Sequence, residues 1–391
     1  GDIGLALAEV DVLVTHHELH AQRGVLGVEA IQQPCLHDAI DDRLGAGQAD
    51  HTGCLGAERA QLGLEVDQAV ADELHPAVGA RQRIFGLALG VALLGTQAMV
   101  WSGALDPALT NYVPTALPWL AILLGSTLFG LGMALVGTCG FGSLIRLGTG
   151  DLRSLIVMMV FGATAYATLR GILAPLRIDR LEAIALPVPG AARGDLPSLL
   201  AWLGFGDWRL VIVLIAASLL ILAVALDRRL RRSPRLLLAG LTLGLGVVAG
   251  WWATGVAVDA FSLHTRAQSL TFVSPVGRAL YAVLTTPDGL LDFGIGSVLG
   301  VVLGAFLSAL VDRELRWEAF DDHHEMRRHL AGAVKMGCGG ILAGGCTIGQ
   351  GITAGSMMAL SWPLAIFGMM VGARLGIAFL MEGSIRQIFR R

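Results

Sequence analysis

The 391-residue chain is expected to be an all-α polytopic membrane protein, an inverted repeat of transmembrane helices with short central or re-entrant helices. Three observations carry that expectation. Hydrophobic residues make up 54% of the chain, charged residues 15%, and the mean hydropathy is +0.66, whereas an ordinary soluble domain is about one quarter charged. A glycine-rich motif around one cysteine occurs twice, separated by an ungapped offset of 207 positions. That offset places Gly130 on Gly337, Gly132 on Gly339, Gly137 on Gly344, Cys139 on Cys346, Gly142 on Gly349, Gly148 on Gly355 and Ser154 on Ser361. The distribution of arginine, finally, makes the two copies point in opposite directions.

Residues 1–80 stand apart: fourteen Asp/Glu against three Arg, six His and no methionine. They have no basic region followed by an apolar stretch, so they do not read as a signal peptide. The segment is expected to be either a weakly ordered polar extension or a mis-framed beginning, the second being preferred. Two repeats are expected to follow, over 81–232 and 233–391.

Apolar spans are predicted over 86–102, 117–136 and 155–173, each near the length that crosses about 30 Å of hydrocarbon. Asp151 is a predicted helix cap before the third. Prolines 175, 187, 189 and 197 mark 174–207 as a loop. A span over 210–226 ends at the basic cluster Asp227-Arg228-Arg229-Leu230-Arg231-Arg232-Ser233-Pro234-Arg235, which the positive-inside rule puts in the cytoplasm. The span 236–256 then leads outward with Trp251 and Trp252 at an interfacial belt, and 257–289 is expected to be an extracytoplasmic connection. Spans over 293–311, 330–345 and 364–381 complete the chain, with arginines at 313, 316, 327 and 328 and at 386, 390 and 391 on the inside. Counted from that anchor, the helix before Cys139 runs inward and the helix before Cys346 runs outward.

Inverted repeats build transporters and pores whose half-length elements meet near the bilayer midplane. Glycines 137, 140, 142 and 148, with 344, 345, 349, 351 and 355, permit a non-helical turn whose amides face a ligand. The helices beginning after Gly148 and Gly355 would aim their N-termini at that turn, which favours an anion. A thiol is small, polarizable and a weak S–H donor, suited to a soft sulfur-bearing ligand more than to hydrated sulfate. An apolar setting favours the neutral thiol, so transient S–H contacts are expected rather than covalent attack. The candidate substrate path comprises Cys139, Cys346, Gly140, Gly142, Thr347, Gly349, Gln350 and Gly351. Thr347 and Gln350 are equally readable as ligand contacts or as partners for freed backbone groups. Cys338, whose counterpart is Leu131, reads as a packing residue.

Five cysteines without a CxxC pair or metal-ligand spacing indicate neither a disulfide framework nor a metal site. No catalytic group, cofactor or nucleic-acid partner is expected, and the surrounding partner is membrane lipid.

The strings Gly137-Thr138-Cys139-Gly140-Phe141-Gly142 and Gly344-Gly345-Cys346-Thr347-Ile348-Gly349-Gln350-Gly351, with Ser269 to Pro275 and Asp292-Phe293-Gly294 to Arg316-Trp317, resemble the YeeE/YedE family of bacterial sulfur-compound transporters. The resemblance spans about Arg81 to Phe379. It implies an hourglass-like fold with short central helices, thiosulfate import across the inner membrane, and cysteines that relay the substrate, with Cys139 and Cys346 on two of the relay positions. It also implies a small cytoplasmic sulfur-carrier or rhodanese-like partner. A third family cysteine, in a Gly-Arg-Phe-Cys-like turn, has no counterpart here. The alternatives are a transporter of selenium compounds or another sulfur species, or a membrane thiol-redox protein, which would need a resolving thiol close to the first.

Overall fold

The computed structural model describes residues 82–188, 194–205, 208–227, 231, 233–257, 266–285, 292–313, 315–320 and 322–382. The expectations for residues 1–80 lie outside the described residues.

Ten helices organise what is described: α1 Gln82–Trp101, α2 Trp119–Val136, α3 Gly140–Gly148, α4 Leu152–Leu169, α5 Arg209–Ala225, α6 Pro234–Gly255, α7 Val273–Leu284, α8 Phe293–Asp312, α9 His323–Leu342 and α10 Ser361–Glu382. Their boundaries follow local chemistry. Pro118 precedes α2, and Gly137 ends it in the left-handed region at φ 81°, a conformation that costs glycine least. The Asp151 carboxylate accepts the Arg153 N–H at 3.0 Å and the Ser154 hydroxyl at 2.7 Å, so the predicted cap of α4 is present. α6 opens on Pro234, whose missing N–H costs nothing at a first turn. Strand β1, Ala116–Leu117, pairs antiparallel with β2, Leu186–Pro187, in the described part of the segment read as a loop.

Among the described residues, six spans are long and apolar enough to cross a membrane: Gln82–Trp101, Trp119–Gly148, Leu152–Leu169, Pro234–Gly255, Phe293–Asp312 and Ser361–Met381. α8 leaves Leu299, Leu303, Phe306 and Leu310 exposed along one face, a surface suited to acyl chains. α9 carries most of its charges in its first two turns and is apolar from Leu330 onward except for Lys335.

The centre is built from α2, α4, α9 and α10, around fully buried Phe129, Phe161, Met336 and Met369. Small residues let these backbones approach closely. A Cβ on Gly125 would lie 2.4 Å from Leu342 Cβ, and one on Gly132 would lie 2.6 Å from Gly332 O. The start of α2 therefore meets the end of α9, and the two run antiparallel. The 207 offset exchanges these contacts. Gly125 faces Leu342 and Ala343 while Gly332 faces Leu135 and Val136; Gly132 faces Met336 while Gly339 faces Phe129.

Two expectations are corrected. The stretch 257–289 is not simply an external connection, because its described part contains α7, which packs on α4 through Gly277 against Gly162 and Tyr166. Trp251 is not interfacial: it is fully buried, edge-on to Tyr112 with ring centroids 6.1 Å apart, whereas Trp252 faces outward. Consecutive residues diverge by about 100° around a helix, so only one of the pair can face out.

Candidate functional site

The site grows from the break after α9. Gly344 takes φ 76° and the chain turns over 343–345 before helical structure resumes at Thr347 and widens to a π-turn over Gly349–Ala354. The carbonyls freed by this break find partners nearby. Gln350 N–H donates to Cys346 O at 2.7 Å, and Gln350 Nε2 to Ala343 O at 2.7 Å. Cys346, only 1% exposed, has its sulfur at the focus of several donors. Gly349 N–H donates to Sγ at 3.4 Å, and the amides of Phe272 and Ile348 and the Thr271 hydroxyl converge on the same atom. With the sulfur lone pairs taken by these donors, the thiol proton is the group left for a ligand.

Cys139 repeats this geometry. It caps α3, its sulfur accepting the Gly142 N–H at 3.4 Å. A Cβ on Gly142 would lie 2.1 Å from Thr138 Oγ1, so no larger residue fits inside that cap. The helices whose N-termini face the cysteines are thus the short ones that start immediately after them. This corrects the expectation that a non-helical turn continues to Gly148 and Gly355. Phe141, two residues beyond Cys139, packs on Phe272 with centroids 5.1 Å apart, and the Phe272 amide faces Cys346. The two thiol sites are therefore joined through one aromatic contact.

A cavity of about 570 Å³ lies beside the second site; Cys346 is not among its lining residues, but Gly345 before it and Gln350 after it are. Tyr112, Thr271, Gly344, Gly345 and Gln350 form part of its lining, and Asn111, Arg177, Glu182 and Arg266 supply further polar groups. The Tyr112 and Thr271 hydroxyls lie next to each other over Gly349. Burial holds the Tyr112 phenol well above its usual pKa, so it presents a neutral O–H. The described lining can hydrogen-bond an anion, and among the described residues no cluster of His, Cys, Asp and Glu has the makings of a metal site.

A family model described as sulphur transport matches residues 69–375. The chain belongs to the sulphur transport family. Two curated relatives are named as thiosulfate transporter TsuA. The one from Escherichia coli (strain K12) is 27% identical over 302 residues, covering 73% of this chain and 80% of the relative. The one from Spirochaeta thermophila is 27% identical over 296 residues, covering 73% and 83%. With six apolar spans among its described residues, this member of the sulphur transport family is a multi-pass membrane protein, and its relatives are named as transporters rather than enzymes.

Within this member of the family, Cys346, Thr347, Gly349, Gln350 and Gly351 are all buried together. Gly140 and Gly142 lie with Cys139 at the start of α3. Gln350 and Thr347 have protein partners, Thr347 Oγ1 reaching Met133 Sδ at 3.4 Å. Cys338 is partly buried and unpaired, as a packing residue would be. Sequence reading missed Tyr112, Thr271, Arg177 and Arg266. Thr271 had a signal, since it lies in the 269–275 string; the others sit in connections without periodicity.

Proposed function

We propose that this protein imports thiosulfate or a related sulfur-containing anion across the bacterial inner membrane. Cys346 and Cys139 act as successive S–H donors along the path, with Gly140, Gly142, Thr347, Gly349, Gln350 and Gly351 shaping it. The observation that carries the reading is the Cys346 thiol, buried behind a cavity wall that includes Thr271, Gly345 and Gln350, with the Gly349 amide donating to its sulfur. Membership of the sulphur transport family and the names of both relatives support the substrate class.

The halves 81–232 and 233–391 are proposed as inverted repeats, a reading supported by antiparallel α2 and α9 and by contacts exchanged under the 207 offset. Arginine-rich 227–235 and the C-terminus are assigned to the cytoplasm by the positive-inside rule. A small sulfur-carrier or rhodanese-like protein would receive the anion there.

The test is uptake of labelled thiosulfate into proteoliposomes holding the full chain. Cys346→Ala and Cys139→Ala remove the S–H donor from each position. Each is expected to lower uptake at least about tenfold, the scale of one lost charge-assisted contact. Uptake equal to wild type in both variants would sink the thiol relay, and label recovered in a chemically altered form would sink transport itself.

A further inference from the structure

We propose that the cavity beside Cys346 is a capture site for small tetrahedral dianions, in which Arg266 and Arg177 bind the oxyanion head before any thiol is reached. The proposal rests on the transport reading above. It adds that selection occurs in two stages, charge and shape at the arginines and sulfur chemistry at Cys346.

The charged residues lining the cavity, among those described, are Arg177, Arg266 and Glu182. Two guanidinium groups against one carboxylate leave a net positive field, which concentrates anions in a low-dielectric recess. Arg177 is held in place from two sides, Nη1 donating to Glu182 Oε1 at 2.5 Å and Nη2 to Leu169 O at 3.2 Å. Its Nε–H is buried without a partner. A buried donor left unmade is costly, so Arg177 keeps an unspent polar group and its full charge at the cavity wall. Arg266 is exposed and tethered to the wall by one bond, Nη1 to Asn111 Oδ1 at 2.7 Å. Its fork geometry suits two oxygens of one tetrahedral head.

The described floor carries no charge: Thr271, Tyr112, Gln350, Gly344 and Gly345 offer hydroxyl, amide and backbone groups. Nothing in this arrangement distinguishes a terminal sulfur from a fourth oxygen. Sulfate is therefore expected to occupy the cavity as thiosulfate does, and to be refused only at Cys346. It becomes a competitive inhibitor that is not carried.

The experiment combines calorimetric binding of thiosulfate and of sulfate to the purified full chain with thiosulfate uptake in proteoliposomes. Arg266→Ala is expected to weaken binding of both anions about tenfold and to raise half-saturation for uptake by the same factor, with maximal rate retained. Arg266→Lys recovers part of this. Glu182→Gln, which removes a like charge from the wall, is expected to tighten binding about threefold. Arg177 joins two segments and its replacement tests folding as much as binding, so the other two sites decide. Uptake with half-saturation unchanged in both Arg266→Ala and Glu182→Gln overturns the capture site and leaves transport standing. Dianion binding that depends on Arg266 without accumulation of labelled thiosulfate keeps the capture site and sinks the transport reading. Absence of binding by either anion overturns the capture site outright.

Discussion

Replacing Thr271 by Val removes one oxygen and almost no volume, which isolates the contribution of a single hydroxyl. That hydroxyl serves two groups at once, the Tyr112 phenol and the Cys346 sulfur. Tyr112 is packed edge-on to Trp251, so its ring cannot swing away from Thr271 and only its face on the cavity meets other partners. Thr271→Val therefore leaves the phenol with fewer partners, at a cost at the lower end of about 1–3 kcal/mol. Tyr112→Phe alone loses the same contact but strands only the smaller hydroxyl, which retains Cys346, so its cost is nearer 1 kcal/mol. In the double variant no phenol remains to be stranded, and the two losses overlap. A cycle measured by unfolding in mixed micelles should give a coupling of about 1 kcal/mol. Uptake is read in parallel and should fall more for Thr271→Val than for Tyr112→Phe, because only the former alters the donors around Cys346. Additivity within about 0.3 kcal/mol would refute the shared hydroxyl.

Gly132→Ala and Gly300→Ala separate a close crossing from an open face. A Cβ on Gly132 would meet backbone atoms at 2.6 and 2.8 Å, whereas Gly300 has nothing within 4 Å, so the first should destabilise by about 1–3 kcal/mol and the second should leave the melting temperature unchanged or slightly raised. His329, at the charged start of α9, is buried beside Phe320, and burial together with Arg328, Arg153 and Arg146 lowers its pKa to about 4 against the opposing pull of Asp151; Glu325 lies 3.7 Å away. Its folded pKa lies below the ordinary value near 6.5, so the unfolded chain binds the extra proton between those values and stability falls as pH drops through that window, by up to about 3 kcal/mol. His329→Gln should flatten that slope between about pH 6.5 and 4 in detergent melting curves.

The long helices were legible because apolar runs of crossing length are bounded by residues with one structural meaning: Pro118, Gly137, Asp151 and Pro234. The doubled motif was legible because both copies demand the same left-handed glycine and the same capped amide. α7 was not, since its twelve residues are too few for a span and Pro275 and Gly277 read as loop signals. The short helices after the cysteines were read as turns because glycine disfavours helix intrinsically, whereas burial against Phe161 and Phe85 imposes it here. Tyr112, Arg177 and Arg266 come from three separate connections, and no local pattern announces that they share a cavity.

The structure also separates the two thiols that the motif makes look alike. Counterparts under the 207 offset differ at the places that touch the path. Gly140 answers to Thr347, whose hydroxyl reaches Met133, and Met133 in turn answers to Gly340 on the cavity wall. Only the second copy therefore has both the bulk to anchor its short helix across the centre and the missing side chain that opens a wall. Cys346 is nearly inaccessible yet lies behind the wall of a polar chamber, while Cys139 is partly exposed and is linked to it through Phe141 and Phe272. Unequal surroundings give each thiol its own access, and the Phe141–Phe272 pair is the aromatic contact that lies between them.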